Sequence, residues 1–254
     1  MSPMSPTPAD PRPSRTAAVI PAAGRGVRLG PGAPKALRTL GGTPMLIHAV
    51  RAMAASRAVA LVVVVAPPGG ASEVKNLIDE HALPERTDYL VVPGGATRQE
   101  SVKLGIDALP PDISVVLVHD AARPLVPVDT VDAVIEAVRD GAPAVVPALP
   151  LADTVKEVEP GTPGDPEPVL STPVRARLRA VQTPQGFDRD TLVRAHGAVA
   201  VDGEGATDDA GMVERLGSPV VVVPGHEEAF KVTRPLDLVL AEAVLARRRA
   251  NDGF

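Results

Sequence analysis

Residues 17–35, AAVIPAAGRGVRLGPGAPK, constrain the whole chain: an apolar run feeds a loop of Gly, Ala and Pro with positive charges spaced along it. Val19, Ile20 and their alanine neighbours read as a buried strand. Beyond it, Gly24, Gly26, Gly30 and Gly32 let backbone N–H groups approach a polyanion closely, and Arg25, Arg28 and Lys35 add cations. That is how a phosphate cradle is built. Two familiar glycine loops are excluded. A P-loop needs Gly-Lys followed by Ser or Thr, and here Lys35 follows Pro34. A dinucleotide loop wants a glycine where Leu29 stands and a carboxylate after the second strand, where this chain has Pro67 and Pro68. The pattern fits a triphosphate gripped partly by side chains; a plain turn after a strand is the competing reading, disfavoured by the three cations.

The rest of the chain alternates in the manner of an α/β fold. Thr43 as N-cap and Pro44 at the first helical position open a helix carrying Met45, Leu46, Ala49, Val50 and Met53 on one face. The β-branched run at 61–65 reads as a strand covered on both sides, and 71–83 as a second helix, so the order is βαβα and the sheet is parallel. A third strand at 88–92 ends in Gly94 and Gly95, with Thr97 and Glu100 at capping-box spacing. SVVLVH leads to Asp120, a helix over about 129–140 stops at Gly141, and APAVVPAL is the fifth strand. From 153 to 187 the rhythm changes to period two around a Pro- and Gly-rich turn at 160–168, which predicts a β-hairpin standing off the sheet. Such a ribbon has little core of its own and is expected to pack on a partner subunit. Helices are predicted over 188–200 and 208–216 and a strand over 219–223. A strand edge at 230–232 leads into a last helix with Leu236, Val239, Leu240, Ala243 and Val244 as its buried stripe.

Composition narrows the function. The formal charge of −5 and 2% aromatic residues argue against a nucleic-acid partner. The absence of cysteine removes disulfides, thiolate chemistry and Cys-ligated zinc, and fits a reducing cytoplasm. Residues 1–16 hold five prolines and no apolar run, so they are expected to be a disordered leader rather than a signal peptide or membrane span. No linker divides 17–250, which reads as one domain with its arm at about 152–180 and a tail at 251–254.

Ligands of open parallel sheets bind beyond the carboxyl ends of the strands. That singles out Lys35, Ser101, Asp120, Arg123, Asp153, Thr154, Thr183, Asp208 and Lys231. Asp120 is either a cap or a metal ligand. Arg123 can pair with Asp120 or hold a phosphate. Lys231, between Phe230 and Val232, can be an edge residue with its head in water. Arg175, Arg177 and Arg179 form a basic cluster that solvation alone would explain, and Asp208 with Asp209 reads as a helix cap. The histidines lack metal-ligand spacing, and His119 is expected to pack or orient its neighbours.

Several of these stretches together resemble the 2-C-methyl-D-erythritol 4-phosphate cytidylyltransferases of the non-mevalonate isoprenoid pathway. AAGRGVRLGPGAPK is similar to the family's nucleotide loop, GGATRQESV to its cytidine-binding turn and VHDAARP to its metal and substrate loop. ADTVK and VQTPQGF resemble the two sides of its arm, ATDDA a later loop, and KVTRPLDLVLAE the closing segment. The likeness spans about residues 17–246.

The resemblance implies a Rossmann-like three-layer α/β sandwich, a homodimer clasped by exchanged arms, CTP and methylerythritol phosphate as substrates, and a divalent metal, usually Mg²⁺. It implies that Ala22, Ala23, Gly24, Gly95 and Ser101 face the cytidine, with Gly26 and Gly94 completing the glycine turns, and that Arg28 and Lys35 face the triphosphate. Asp120 is implied as metal ligand. Asp120, Arg123, Asp153, Thr154, Thr183 and Lys231 are implied around the acceptor, joined by Arg175 from the other subunit. Ala36, Ala96 and Ala229 depart from the polar residues common at those positions. The rival readings are a cytidylyltransferase for another acceptor, such as ribitol 5-phosphate, and a catalytically silent nucleotide-binding dimer.

Overall fold

Strands that are apolar on both faces need a layer of helices on each side, and the chain supplies both. A computed structural model describes residues 15–23, 35–198 and 208–251. Apart from the paired two-residue strands Thr39–Leu40 and Thr43–Pro44, the strands in chain order are β1 (Arg15–Pro21), β2 (Val59–Ala66), β3 (Asp88–Pro93), β4 (Ile113–Val118), β5 (Ala144–Pro150), β6 (Glu157–Val158), β7 (Val169–Ser171), β8 (Arg179–Val181), β9 (Gln185–Asp188) and β10 (Val221–Pro224). All but β6 and β7 belong to one eight-stranded sheet.

In that sheet β3, β2, β1 and β4 run parallel in that order, with Val19 opposite Val63 on one side and Val118 on the other. The sheet is mostly parallel, as expected, but β9 enters antiparallel between β4 and β5, Phe187 lying opposite both Val116 and Ala144. β8 continues this line along β5, and β10 lies parallel on the other edge of β5. The predicted hairpin is therefore two things. The ribbon β6–β7 stands off the sheet, whereas β8 and β9 return into it. Period-two patterning reports alternation and does not say which strand is the neighbour.

The helices are α1 (Met45–Ala55), α2 (Ala71–Asp79), α3 (Arg98–Asp107), α4 (Val128–Arg139), α5 (Arg189–Ala198), α6 (Asp209–Arg215) and α7 (Pro235–Asn251). Alternation along β1 divides the core: Ala18 and Ile20 pack with α1, α2 and α4, while Ala17 and Val19 pack with α3, α5 and α6. This is the expected three-layer arrangement. Thr43 does not cap α1; it pairs with Leu40 in a tight two-stranded turn, and Pro44 is the N-cap.

Two expectations fail at the C-terminus. Residues 230–232 form no strand; instead the Val232 N–H donates to the Ala122 carbonyl, at 2.8 Å. The stripe on α7 is also rotated: Ala241 and Val244 are buried, but Leu236, Val239 and Leu240 are 76%, 62% and 51% exposed, and Ala243 is exposed. The helix is apolar on more than one face, so periodicity could not choose. The small cluster of Leu40, Met45, Leu125 and Val232 chose for it.

Gly186 has no room for a side chain, since a Cβ there would lie 2.4 Å from Val134 Cγ1 and 3.1 Å from Val138 Cγ2. Gly186→Ala is expected to cost about 1–3 kcal/mol by overpacking. A lower urea midpoint at unchanged slope is the readout; an unchanged midpoint would mean that α4 sits loosely on β9.

Candidate active site

The carboxyl ends of β1, β2, β3 and β4 gather at one edge, and the glycine turn after β3 is built there in detail. The Gly94 N–H donates to the Ala66 carbonyl at 2.8 Å. A Cβ at Gly94 would lie 2.6 Å from that same oxygen, so the position tolerates only glycine. Ser101, fully buried, donates its hydroxyl proton to the Thr97 carbonyl at 2.8 Å and accepts from the Gly95 N–H at 3.2 Å. Its hydroxyl thus shapes the turn and retains only acceptor capacity for a ligand. The predicted cap forms, with Thr97 Oγ1 accepting from the Glu100 N–H at 3.1 Å. The Glu100 carboxylate reaches the Ala96 N–H, at 2.7 Å, rather than the N-cap itself. Ala22 is buried and its N–H is spent on the Val65 carbonyl, with Ala23 following at the strand tip. Gly24, Gly26, Arg28 and the Lys35 side chain lie outside the described residues.

Asp120, just past β4, is the electrostatic centre. Its Oδ2 lies 2.9 Å from Lys231 Nζ and 3.7 Å from Arg123 Nε, and its Oδ1 lies 3.9 Å from Arg98 Nε. Burial alone would push the carboxyl up; Lys231, Arg98 and Arg123 outweigh it and hold the pKa at about 2. Lys231 reaches this place because its flanks are anchored. The Val232 N–H bonds the Ala122 carbonyl, and the Ala229 carbonyl accepts from Arg123 Nη1 at 2.7 Å. Arg123 also donates from Nη2 to the Val181 carbonyl at 3.3 Å, so both terminal nitrogens serve the backbone and only Nε faces Asp120. The guanidinium pins three chain segments together, a role the sequence did not reveal.

Thr183, between β8 and β9, holds Asp120 from below. Its Oγ1 accepts from the Asp120 N–H and lies 3.0 Å from His119 Nδ1. His119 is fully buried and its Nε2 lies 3.1 Å from the Arg123 carbonyl, which can only accept. Nε2 therefore carries the proton, and Nδ1 must accept the threonine proton. Gln182 and Gln185 flank this residue. Gln182 makes a two-way bond with the His226 backbone, and Gln185 donates to Asp208 at 2.7 Å and accepts from the Ala210 N–H at 3.1 Å.

Asp208 caps α6 as expected, accepting from the Gly211 N–H at 2.8 Å. Asp209 does more than cap. It is fully buried, with Oδ1 3.0 Å from His196 Nε2 and Oδ2 2.8 Å from Arg98 Nη2. Arg98 and Asp209 were not singled out as site residues from the sequence. The available signal was the position of Arg98, in the first turn of α3 directly after the glycine turn.

Asp153, Thr154 and Arg175 lie elsewhere, all exposed, on the segments leading into and out of the ribbon, which Arg175 ties by donating from Nη1 to the Ala152 carbonyl at 2.5 Å. Among the described residues no hydrogen bond or ion pair joins them to Asp120 within one chain. Ala36 and Ala229 are buried, so these departures pack, while Ala96 is exposed beside the glycine turn.

A family model described as 2-C-methyl-D-erythritol 4-phosphate cytidylyltransferase matches residues 16–247. The chain is 83% identical over 243 residues to the protein of that name from Streptomyces coelicolor, covering 95% of this chain and 89% of that one. It is 82% identical to the one from Streptomyces avermitilis, covering 96% and 99%. Among solved structures it is similar to the enzyme of that name from Thermus thermophilus, at TM-score 0.69 and 37% identity, covering 89% of this chain and 97% of that one. It is also similar to the 4-diphosphocytidyl-2C-methyl-D-erythritol synthase from Anaerococcus prevotii, at TM-score 0.77 and 26% identity, covering 92% and 99%.

Burial lowers the His119 pKa from 6.5 to about 4, so between these values the unfolded chain takes up a proton that the folded chain refuses. The stabilisation is complete above the unfolded value and is lost as pH falls toward the folded one. Its size is on the order of 3 kcal/mol. Asp120 acts in the same direction at lower pH: its contribution, present above its ordinary value of 3.8, is lost as pH falls toward about 2. Urea titrations across the mildly acidic range are expected to show stability rising with pH in the parent and a flatter profile in His119→Asn; equal slopes would contradict the assignment.

Proposed function

We propose a division of labour for a chain that belongs to the 2-C-methyl-D-erythritol 4-phosphate cytidylyltransferase family. The chain is a nucleotidyltransferase that moves a cytidylyl group from CTP to 2-C-methyl-D-erythritol 4-phosphate, giving 4-diphosphocytidyl-2-C-methyl-D-erythritol and pyrophosphate. An oxygen of the acceptor phosphate attacks the α-phosphorus of CTP in line. The new P–O bond forms as the bond to the β-phosphate oxygen breaks, and no protein nucleophile is needed.

Two anions must meet, so the protein's task is to place cations. Arg28 and Lys35 stabilise the charge gathering on the α-phosphate oxygens. Lys231 and the partner's Arg175 hold the attacking phosphate, with Thr154 and Asp153 beside that arginine. Ala22, Ala23, Gly24, Gly26, Gly94, Gly95 and Ser101 form the cytidine side. Thr183 sets Asp120, and Arg123 fixes the loop around it. The observation that carries this reading is Lys231 Nζ held 2.9 Å from Asp120 by a segment with two backbone anchors.

Asp120 also suits a divalent cation such as Mg²⁺. Among the described residues no group of three His, Cys, Asp or Glu could hold a metal alone. One ionised carboxylate sharing the ion with substrate phosphates is the arrangement that Mg²⁺ accepts. When bound, the ion would neutralise phosphate charge. Asp120 would supply an oxygen, Oδ1 being the one whose neighbouring cation among the described residues, Arg98 Nε at 3.9 Å, stays outside hydrogen-bond range.

The same reading makes the enzyme a homodimer. Val169, Leu170 and Val174 on and beside the ribbon, and Leu236, Val239 and Leu240 on α7, are exposed apolar surface that a second copy would cover. The ribbon-base residues would then act in the neighbouring site. One unit over 17–250 carries the arm at 152–180. Among the described residues no helix is long and apolar enough to cross a membrane; we place the enzyme in the cytoplasm with its phosphorylated substrates.

Pyrophosphate release should require CTP with methylerythritol phosphate and be far slower with ribitol 5-phosphate; equal rates would move the assignment to another acceptor. Lys35→Ala and Lys231→Ala should each lose roughly 10²- to 10³-fold in turnover while staying folded. Near-parental turnover in either removes its assigned role. Mixing Arg28→Ala and Arg175→Ala subunits should restore about a quarter of the sites in a random equal mixture, and no recovery would place Arg175 in its own subunit's site.

A further inference from the structure

The surroundings of Asp120 are unequal on its two sides. Oδ2 is engaged by Lys231 at 2.9 Å, whereas the nearest cation on the Oδ1 side among the described residues, Arg98 Nε, stops at 3.9 Å. Arg98 stops there because its Nη2 lies 2.8 Å from Asp209 Oδ2. Asp209 cannot follow the arginine. It is fully buried at the start of α6, its other oxygen is on His196, and Gln185 and Asp208 tie down the turn before it.

We propose that Asp209 is a positioning residue: as the fixed counter-ion of Arg98, it keeps that guanidinium from closing on Asp120 and so leaves Oδ1 open to an electropositive ligand group. That group is a divalent cation or a hydroxyl of the acceptor. Arg98 is a planar fork of five donors, and a free carboxylate a short distance away is its natural partner. Without the charge on Asp209, Arg98 would move onto Asp120 Oδ1 and compete with the ligand. The inference rests on the reading above that Asp120 serves the reaction. A purely structural Asp209, stabilising the N-terminus of α6 and the His196 contact, would affect stability alone.

Asp209→Asn keeps the size and the acceptor for His196 while removing the charge. It is expected to weaken the apparent affinity for Mg²⁺ or for the acceptor roughly tenfold, the size of one charge-assisted hydrogen bond in a partly buried site. The turnover number at saturation should stay within about threefold of the parent. Varying Mg²⁺ at saturating acceptor, and acceptor at saturating Mg²⁺, shows which group uses Oδ1. Calorimetric titration of Mn²⁺ in the presence of a non-hydrolysable CTP analogue reads the metal arm without turnover. In the double variant Arg98→Gln, Asp209→Asn the competing cation is gone, and both affinities should return to within about threefold of the parent.

Parental affinities in Asp209→Asn, or a double variant as impaired as the single one, overturn the proposal; in the latter case Arg98 itself would touch the ligand. If Asp209→Asn does not fold, the neutral double variant decides alone: affinities within about threefold of the parent support the proposal and a larger loss overturns it. Asp120→Asn separates the two levels. Retained turnover there defeats the reading of Asp120, whereas loss there with a normal Asp209→Asn defeats only this inference.

Discussion

One strip of polar side chains, running from the end of β8 to the first residue of β9, joins the loops that make the candidate site. Gln182 grips the His226 backbone, Thr183 grips Asp120 and His119, and Gln185 grips the first turn of α6. These residues are buried, so each unmade bond would leave a desolvated polar group at a cost of about 1–3 kcal/mol. A strip that must satisfy every partner at once leaves the three loops one common arrangement. The antiparallel entry of β9 between parallel neighbours brings this strip to the tip of β4.

At that tip, burial and charge oppose each other. Burying Asp120 disfavours its charged form, and the surrounding cations reverse the balance decisively. Excess positive charge around one carboxylate suits an enzyme that must draw two phosphorylated reactants together. Three of these cations come from distant parts of the chain: Arg98 from α3, Arg123 from the loop after β4, and Lys231 from the segment before α7. Only folding makes them neighbours.

Much of this was legible in the residues. The strand at 61–65 had no polar face, the capping spacing of Thr97 and Glu100 marked the start of α3, and Gly141 marked the end of α4, where its φ of 105° is one that glycine adopts freely. Asp120 and Lys231 were visible as polar residues breaking apolar surroundings. Other features were not legible, because their meaning depends on partners. Thr183 and Ser101 looked like ligand contacts, yet their hydroxyl protons are spent inside the protein. Asp209 looked like a cap and is a buried ion-pair partner. Periodicity does not select the buried face of α7, because apolar residues lie on more than one side of it.

The linear order of residues by itself determined the α/β class, the parallel sheet, the glycine turns and the family resemblance, because periodicity, capping and turn chemistry act over a few neighbouring residues. Tertiary structure alone decided that β9 runs against its neighbours, that Lys231 meets Asp120, and that Asp209 holds Arg98. Those outcomes depend on packing and charge acting between residues up to 111 positions apart (231 − 120), and no local pattern encodes such a distance.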